Sequence, residues 1–185
     1  MRFWSVALVA LFSLCVCTQG TTVIQPTFEQ LVDGASQVVV AEALSSECHW
    51  QTNAKGALIF TTVRFHAEEV LKGESVAQLE LSFLGGTIGA DTLDVHGVPR
   101  FTQGSRYILF VSSNRTEVCP LVGMFHGKFH LIKDAVTGEE MISQHDGSPV
   151  RISSSSKGAK AALPLRNLTA AEFKRRVLDR VATTH

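Results

Sequence analysis

Over residues 59–68 the chain alternates for ten positions: Ile59, Thr61, Val63, Phe65 and Ala67 take one side, Phe60, Thr62, Arg64, His66 and Glu68 the other. A period of two sends successive side chains to opposite faces of a strand, whereas a helix would scatter them round its circumference. The segment is therefore committed to a sheet with one better-packed face. Val70 is apolar but out of phase, which predicts a bulge near Glu68 and Glu69, and Lys72 with Gly73 predicts a turn. Leu79, Leu81 and Phe83 then alternate with Gln78, Glu80 and Ser82 as a second strand. Upstream, Val38, Val39, Val40 and Ala41 form a continuous, mostly β-branched run suited to a strand buried on both faces. It is expected to continue toward Cys48 and Trp50, with a turn over residues 51–56.

Further strands are expected at residues 107–111, 124–133 and, after a turn at 134–138, at 139–142. Strand after strand with turns between reads as a mainly β barrel or sandwich. Two helices flank it. Thr27 and Gln30 have capping-box spacing and open a short helix that runs to Val32 and stops at Gly34. Thr169 caps a C-terminal amphipathic helix whose stripe is Phe173, Val177, Leu178 and Val181. Between them the composition shifts to Ser153, Ser154, Ser155, Ser156 and Gly158, a linker. The expected organisation is a signal peptide at 1–20, a barrel domain at 21–143, a linker at 144–165 and the helix at 166–185.

The signal reading rests on Arg2, an apolar run over residues 3–16, and Thr18 and Gly20 at a small-residue exit. The run is shorter than the roughly 20 residues a membrane span needs. Lipidation at Cys15 or Cys17 fits less well, because Leu14 and Val16 precede them where a small residue is expected. Cleavage before Thr21 leaves a secreted or periplasmic chain with two of its four cysteines, Cys48 and Cys119. An even pair in an oxidising compartment suggests a disulfide, with two buried thiols as the alternative and metal binding by one of them as a lesser one. The whole chain carries 17 basic and 17 acidic residues, which argues against nucleic acid as a partner and against a polybasic membrane surface.

The order of these motifs resembles a family of secreted bacterial proteins of uncharacterised function. The resemblance runs over residues 28–142 and is carried by Val38-Val39-Val40, Glu68-Glu69-Val70-Leu71-Lys72-Gly73, Gly85-Gly86-Thr87, Pro99-Arg100-Phe101 with Gly104, Tyr107-Ile108-Leu109-Phe110 and Gly127-Lys128-Phe129. More loosely, the opening strand, the strand ending in Lys-Gly and the later Tyr-Ile-Leu strand are similar to netrin-like modules, including the tissue inhibitors of metalloproteinases. That similarity implies an OB-like five-stranded barrel. The inhibitors chelate their protease's zinc through an N-terminal cysteine. The N-terminus expected here is Thr21, so that mechanism does not carry over.

Catalytic motifs are few. Gly85, Gly86 and Gly89 follow a strand as in a phosphate loop, but no Lys-Ser/Thr ending follows. There is no Gly-x-Ser-x-Gly and no motif that calls for a cofactor. His126 and His130 on one strand would stand about 13 Å apart, too far to share a metal ion. Asp91, Asp94 and His96, with His145 and Asp146 elsewhere, could serve acid-base or metal chemistry, or turn geometry. The expected function is therefore a non-catalytic binding module for a protein partner such as an exported protease. Its expected site is the long excursion after the strand of Leu79, Leu81 and Phe83, with Thr87, Asp91, Asp94, His96 and Arg100. The rival is a metal-dependent hydrolase using the loop Asp and His residues.

Overall fold

The computed structural model describes residues 25–53, 56–112, 118–135, 137–144, 150 and 168–184. The expected signal peptide and nearly all of the 144–165 linker, with His145 and Asp146, lie outside them.

Thr27 caps α1 (Phe28–Gly34) through the expected box: its hydroxyl accepts from the Gln30 amide at 3.2 Å, and the Gln30 side chain accepts from the Thr27 amide at 2.9 Å. The chain then enters β1 (Ala35–Asn53), turns, and returns as β2 (Gly56–Lys72) and β3 (Gln78–Leu84). After a two-stranded hairpin, β4 (Gly86–Ile88) and β5 (Asp91–Leu93), come β6 (Arg106–Ser112), β7 (Lys128–Lys133) and β8 (Glu140–Ser143). The main sheet has the order β3-β2-β1-β6-β7-β8, antiparallel throughout.

The expected closed barrel is not formed. β3 and β8 are edges and do not pair with each other. The outer edge of the four-residue β8 is taken instead by the approach to the last helix, with Met141 bridging Thr169 and the Ile142 amide donating to the Leu168 carbonyl at 3.1 Å. At the end of β3, the Leu84 amide donates to the Val118 carbonyl at 2.9 Å, and the residues after Val118 pair with the end of β6 through Val111 and Leu121. A loop, not a strand, thus links the edge strand β3 to the end of β6.

The bulge in β2 lies where the broken phase predicts it. Val40 pairs with Glu69 and Ala41 with Ala67, so Glu68 is the extra residue. One inserted residue flips parity, which keeps Val70 on the same face as Val63 and Phe65. β1 and β6 are covered on both sides. Val38, Val40, Ile108 and Phe110 face the helices, while Val39, Ala41, Leu109 and Val111 face an inner core with Leu79, Leu81 and Phe83.

The final helix, α2 (Ala170–Thr184), closes the outer core. Thr169 accepts from the Glu172 amide at 3.2 Å. Phe173 and Val177 are fully buried, Val181 is partly so, and Leu178 is solvent-facing at 47% exposure, so the stripe is narrower than expected. Arg180 pairs with Asp33 of α1, and Lys174 with Glu69 of β2.

A second correction concerns residues 124–133. Met124–Gly127 is a 3-10 turn and the strand begins only at Lys128. Gly123 enters that turn at φ 63° and Met124 follows at φ 59°, left-handed positions that interrupt a strand. His126 and His130 therefore do not share one exposed strand face. His126 lies against Phe125, ring centroids 4.1 Å apart, and His130 stacks on Tyr107 at 5.0 Å.

Candidate functional site

The excursion begins with a backbone that only glycine accommodates. Gly86 has φ 143°, and a Cβ there would lie 2.6 Å from the Thr61 hydroxyl and 2.7 Å from the Cys48 sulfur. Its absence lets β4 lie directly on the β1–β2 ribbon. The Thr61 hydroxyl fixes the same corner by donating to the Gly85 carbonyl at 2.6 Å.

After β5 the chain crosses back over the inner face of the sheet. Phe101 anchors it, with its ring 5.1 Å from Phe65, 5.0 Å from Phe83 and 5.2 Å from Tyr107. The Phe125 amide donates to the Gly97 carbonyl at 3.2 Å and holds the middle of the excursion. Lys128 holds its end: the ammonium donates to the Arg100 carbonyl at 2.6 Å and sits 5.1 Å from the centroids of both Phe101 and Tyr107.

Between this strap and the sheet lies an open cavity of about 310 Å³. Val63, Phe83 and Phe101 are its apolar floor, and Leu93, Val95 and Val98 its side. Ser46, Cys48 and Thr87 supply hydroxyl and thiol groups, and Asp94 with Arg100 stands at the mouth. The Arg100 guanidinium donates to the Asp94 carboxylate at 2.8 Å, with the two side chains 81% and 78% exposed. An ion pair so exposed contributes little to stability, so both groups can exchange partners at small cost.

Three of the five residues expected from sequence, Thr87, Asp94 and Arg100, thus converge on one cavity. Asp91 and His96 do not line it. Asp91 pairs with Ile88 in the hairpin, and both Asp91 and His96 are exposed. Ser46, Cys48 and Thr61 were not foreseen as site residues, because nothing in their spacing reveals that the glycine corner folds onto their ribbon. Pro99-Arg100-Phe101 carried the available signal for the strap.

Cys48 and Cys119 are both thiols in this structure, in place of the bridge their number suggests. Cys48 is exposed at the cavity, 3.4 Å from the Thr61 hydroxyl, while Cys119 is packed in the inner core. Burial pushes the Cys119 thiol up to about 11, partly offset by a hydrogen bond with the Leu121 backbone. The thiolate is the reactive form. In native protein an alkylating reagent should label Cys48 and spare Cys119, and denaturation without reductant should expose the second thiol. Mass spectrometry of both states checks this; no label on either cysteine after denaturation would establish the disulfide instead.

His130 provides a pH-dependent element beneath the strap. Burial, and secondarily the Lys128 charge, hold its pKa below the ordinary 6.5. The unfolded chain then binds the proton more readily than the folded one, so this contribution to stability is complete above about pH 6.5 and is lost as pH falls toward the lower folded value. Thermal unfolding should accordingly show a larger drop in Tm for the wild type than for His130→Gln between about pH 7.5 and about pH 5.5. Parallel curves would show that His130 is solvated as in the unfolded chain.

No protein family model, curated protein or solved structure matches this chain.

Proposed function

We propose that this chain is an exported, non-catalytic binding module, and that the cavity under the 94–101 strap is where a protein partner docks. The observation that carries the reading is the convergence of Thr87, Asp94 and Arg100, on separate parts of the excursion, around one open 310 Å³ cavity with an apolar floor. A concave apolar surface with a few polar groups at its rim is the usual form of a recognition site. In this proposal the sheet and its strap work as an OB-like module does, through one face and the loops around it. Export through cleavage near Gly20 would place the partner in the envelope or outside the cell, an exported protease being one such protein. The near-zero charge favours a protein over nucleic acid, and no helix among the described residues is long and apolar enough to cross a membrane.

The hydrolase reading is less well supported by the same geometry. Asp94 is engaged with Arg100, and no three His, Cys, Asp or Glu side chains among the described residues stand together as metal ligands would.

The test is affinity capture from the native host's envelope with two variants. Thr87→Ala combined with Asp94→Ala and Arg100→Ala should weaken capture about tenfold or more, the effect of removing central contacts. Asp91→Ala with His96→Ala should leave it unchanged. Equal capture by the two variants, with both folded by circular dichroism, removes the cavity from the site.

A further inference from the structure

We infer that the cavity receives one apolar side chain of a partner polypeptide with a carboxylate directly beside it, the arrangement found at a C-terminal apolar residue. This rests on the binding reading above and specifies its ligand.

Size sets the first limit. Ligand pockets commonly span about 300 to 1,000 Å³, so at about 310 Å³ this one stands at the small end of the range and has room for a single large side chain. The floor is chemically matched to an aromatic or branched group: the Phe83 and Phe101 rings stand 5.0 Å apart at 46°, with Val63 and Val98 beside them.

Charge sets the second. Arg100 has five N–H donors, and one of them is used on Asp94. Lys128 lies immediately behind, bound to the Arg100 carbonyl. Lys128, Asp91 and His96 all lie outside the lining, so the charges at the mouth are Arg100 and Asp94, and the Arg100 donors that Asp94 leaves over are what a carboxylate can reach. The planar guanidinium fork matches a carboxylate better than a point acceptor. Finally, Arg100 and Asp94 are about four-fifths exposed, so the bound carboxylate sits at an open rim and the remainder of the ligand extends away from it, as a chain would.

Three probes test this on the full chain by calorimetry: acetyl-Ala-Ala-Phe with a free C-terminus, the same peptide as its C-terminal amide, and 3-phenylpropionate. The free acid should bind about tenfold more tightly than the amide, the worth of one hydrogen-bonded charge, and more tightly than 3-phenylpropionate. Arg100→Gln should abolish the difference between acid and amide. Because Arg100 is exposed, that variant is expected to fold. Val98→Trp, which fills the cavity, should remove binding of all three. Equal binding of acid and amide overturns the carboxylate, and preference for 3-phenylpropionate overturns the polypeptide. Either result leaves the binding-module reading standing if envelope capture still depends on Thr87, Asp94 and Arg100. Loss of that dependence would sink the broader reading whatever the probes show.

Discussion

Phe173→Ala is expected to lower the unfolding free energy by about 3 to 5 kcal/mol, the range for deleting a buried phenylalanine. Phe173 is fully buried where three elements meet. Its ring lies 5.5 Å from Phe28 of α1, 6.2 Å from Phe110 of β6 and 4.9 Å from Phe129 of β7. The substitution opens a cavity of which two walls, Phe110 and Phe129, are held by the sheet and resist collapse. It also weakens the attachment of α2, a 15-residue helix near the lower limit of independent stability in water. Arg180–Asp33 and Lys174–Glu69 are partly exposed pairs and cannot replace the ring's contribution. Urea unfolding should show the full loss for Phe173→Ala and a change within about 0.5 kcal/mol for Leu178→Ala, which removes an exposed side chain from the same helix. A loss below about 1 kcal/mol at Phe173 would mean that α2 is not docked in solution.

The elements that the sequence made legible are those in which side-chain period and burial coincide locally. Leu79, Leu81 and Phe83 are buried and Gln78, Glu80 and Ser82 exposed, as their alternation implies. Thr27 and Gln30 form both bonds of their box because each partner lies within one turn. The bulge at Glu68 was visible because a parity error in one strand needs no knowledge of its neighbour. Closure of the sheet was not legible, since it depends on what β8 pairs with, and Leu168 and Thr169 reach that edge from a distant part of the chain. The 3-10 turn was hidden for a different reason. Phe125 and Phe129 suggested a single alternating strand, whereas the left-handed backbone at Gly123 and Met124 opens a turn that takes in Phe125, and the strand starts only at Lys128.

The candidate site shows the same division. Residues on the excursion were found because a long, glycine-rich connection is itself a signal. The floor was not, because Val63 and Phe83 look like ordinary core residues and only the strap above them turns that core into a cavity wall. Cys48 drew attention for its pairing and not for its position, which follows from the missing Cβ at Gly86.

Leu81→Ala should cost about 2 to 5 kcal/mol, while Ser82→Ala, one residue further along the strand, should change stability by no more than about 0.5 kcal/mol. β3 is an edge strand, where a single truncation is usually mild because solvent lies close by. Here Leu81 is only 2% exposed. It sits in the inner core with Val63, its cross-strand partner, and with Leu109 and Leu121. The bond from Leu84 to Val118 ties the end of β3 to the segment that carries Leu121, so the gap left by a missing isobutyl group is bounded on two sides by anchored chain. Ser82 pairs with Thr62 on the opposite, solvent-facing surface. A slip of one residue in the β2–β3 register would exchange the two environments. The ratio of the two losses therefore reads the register directly. Comparable small losses at both positions would show that β3 does not cover the inner core, and the apolar floor beneath the strap would be lost with it.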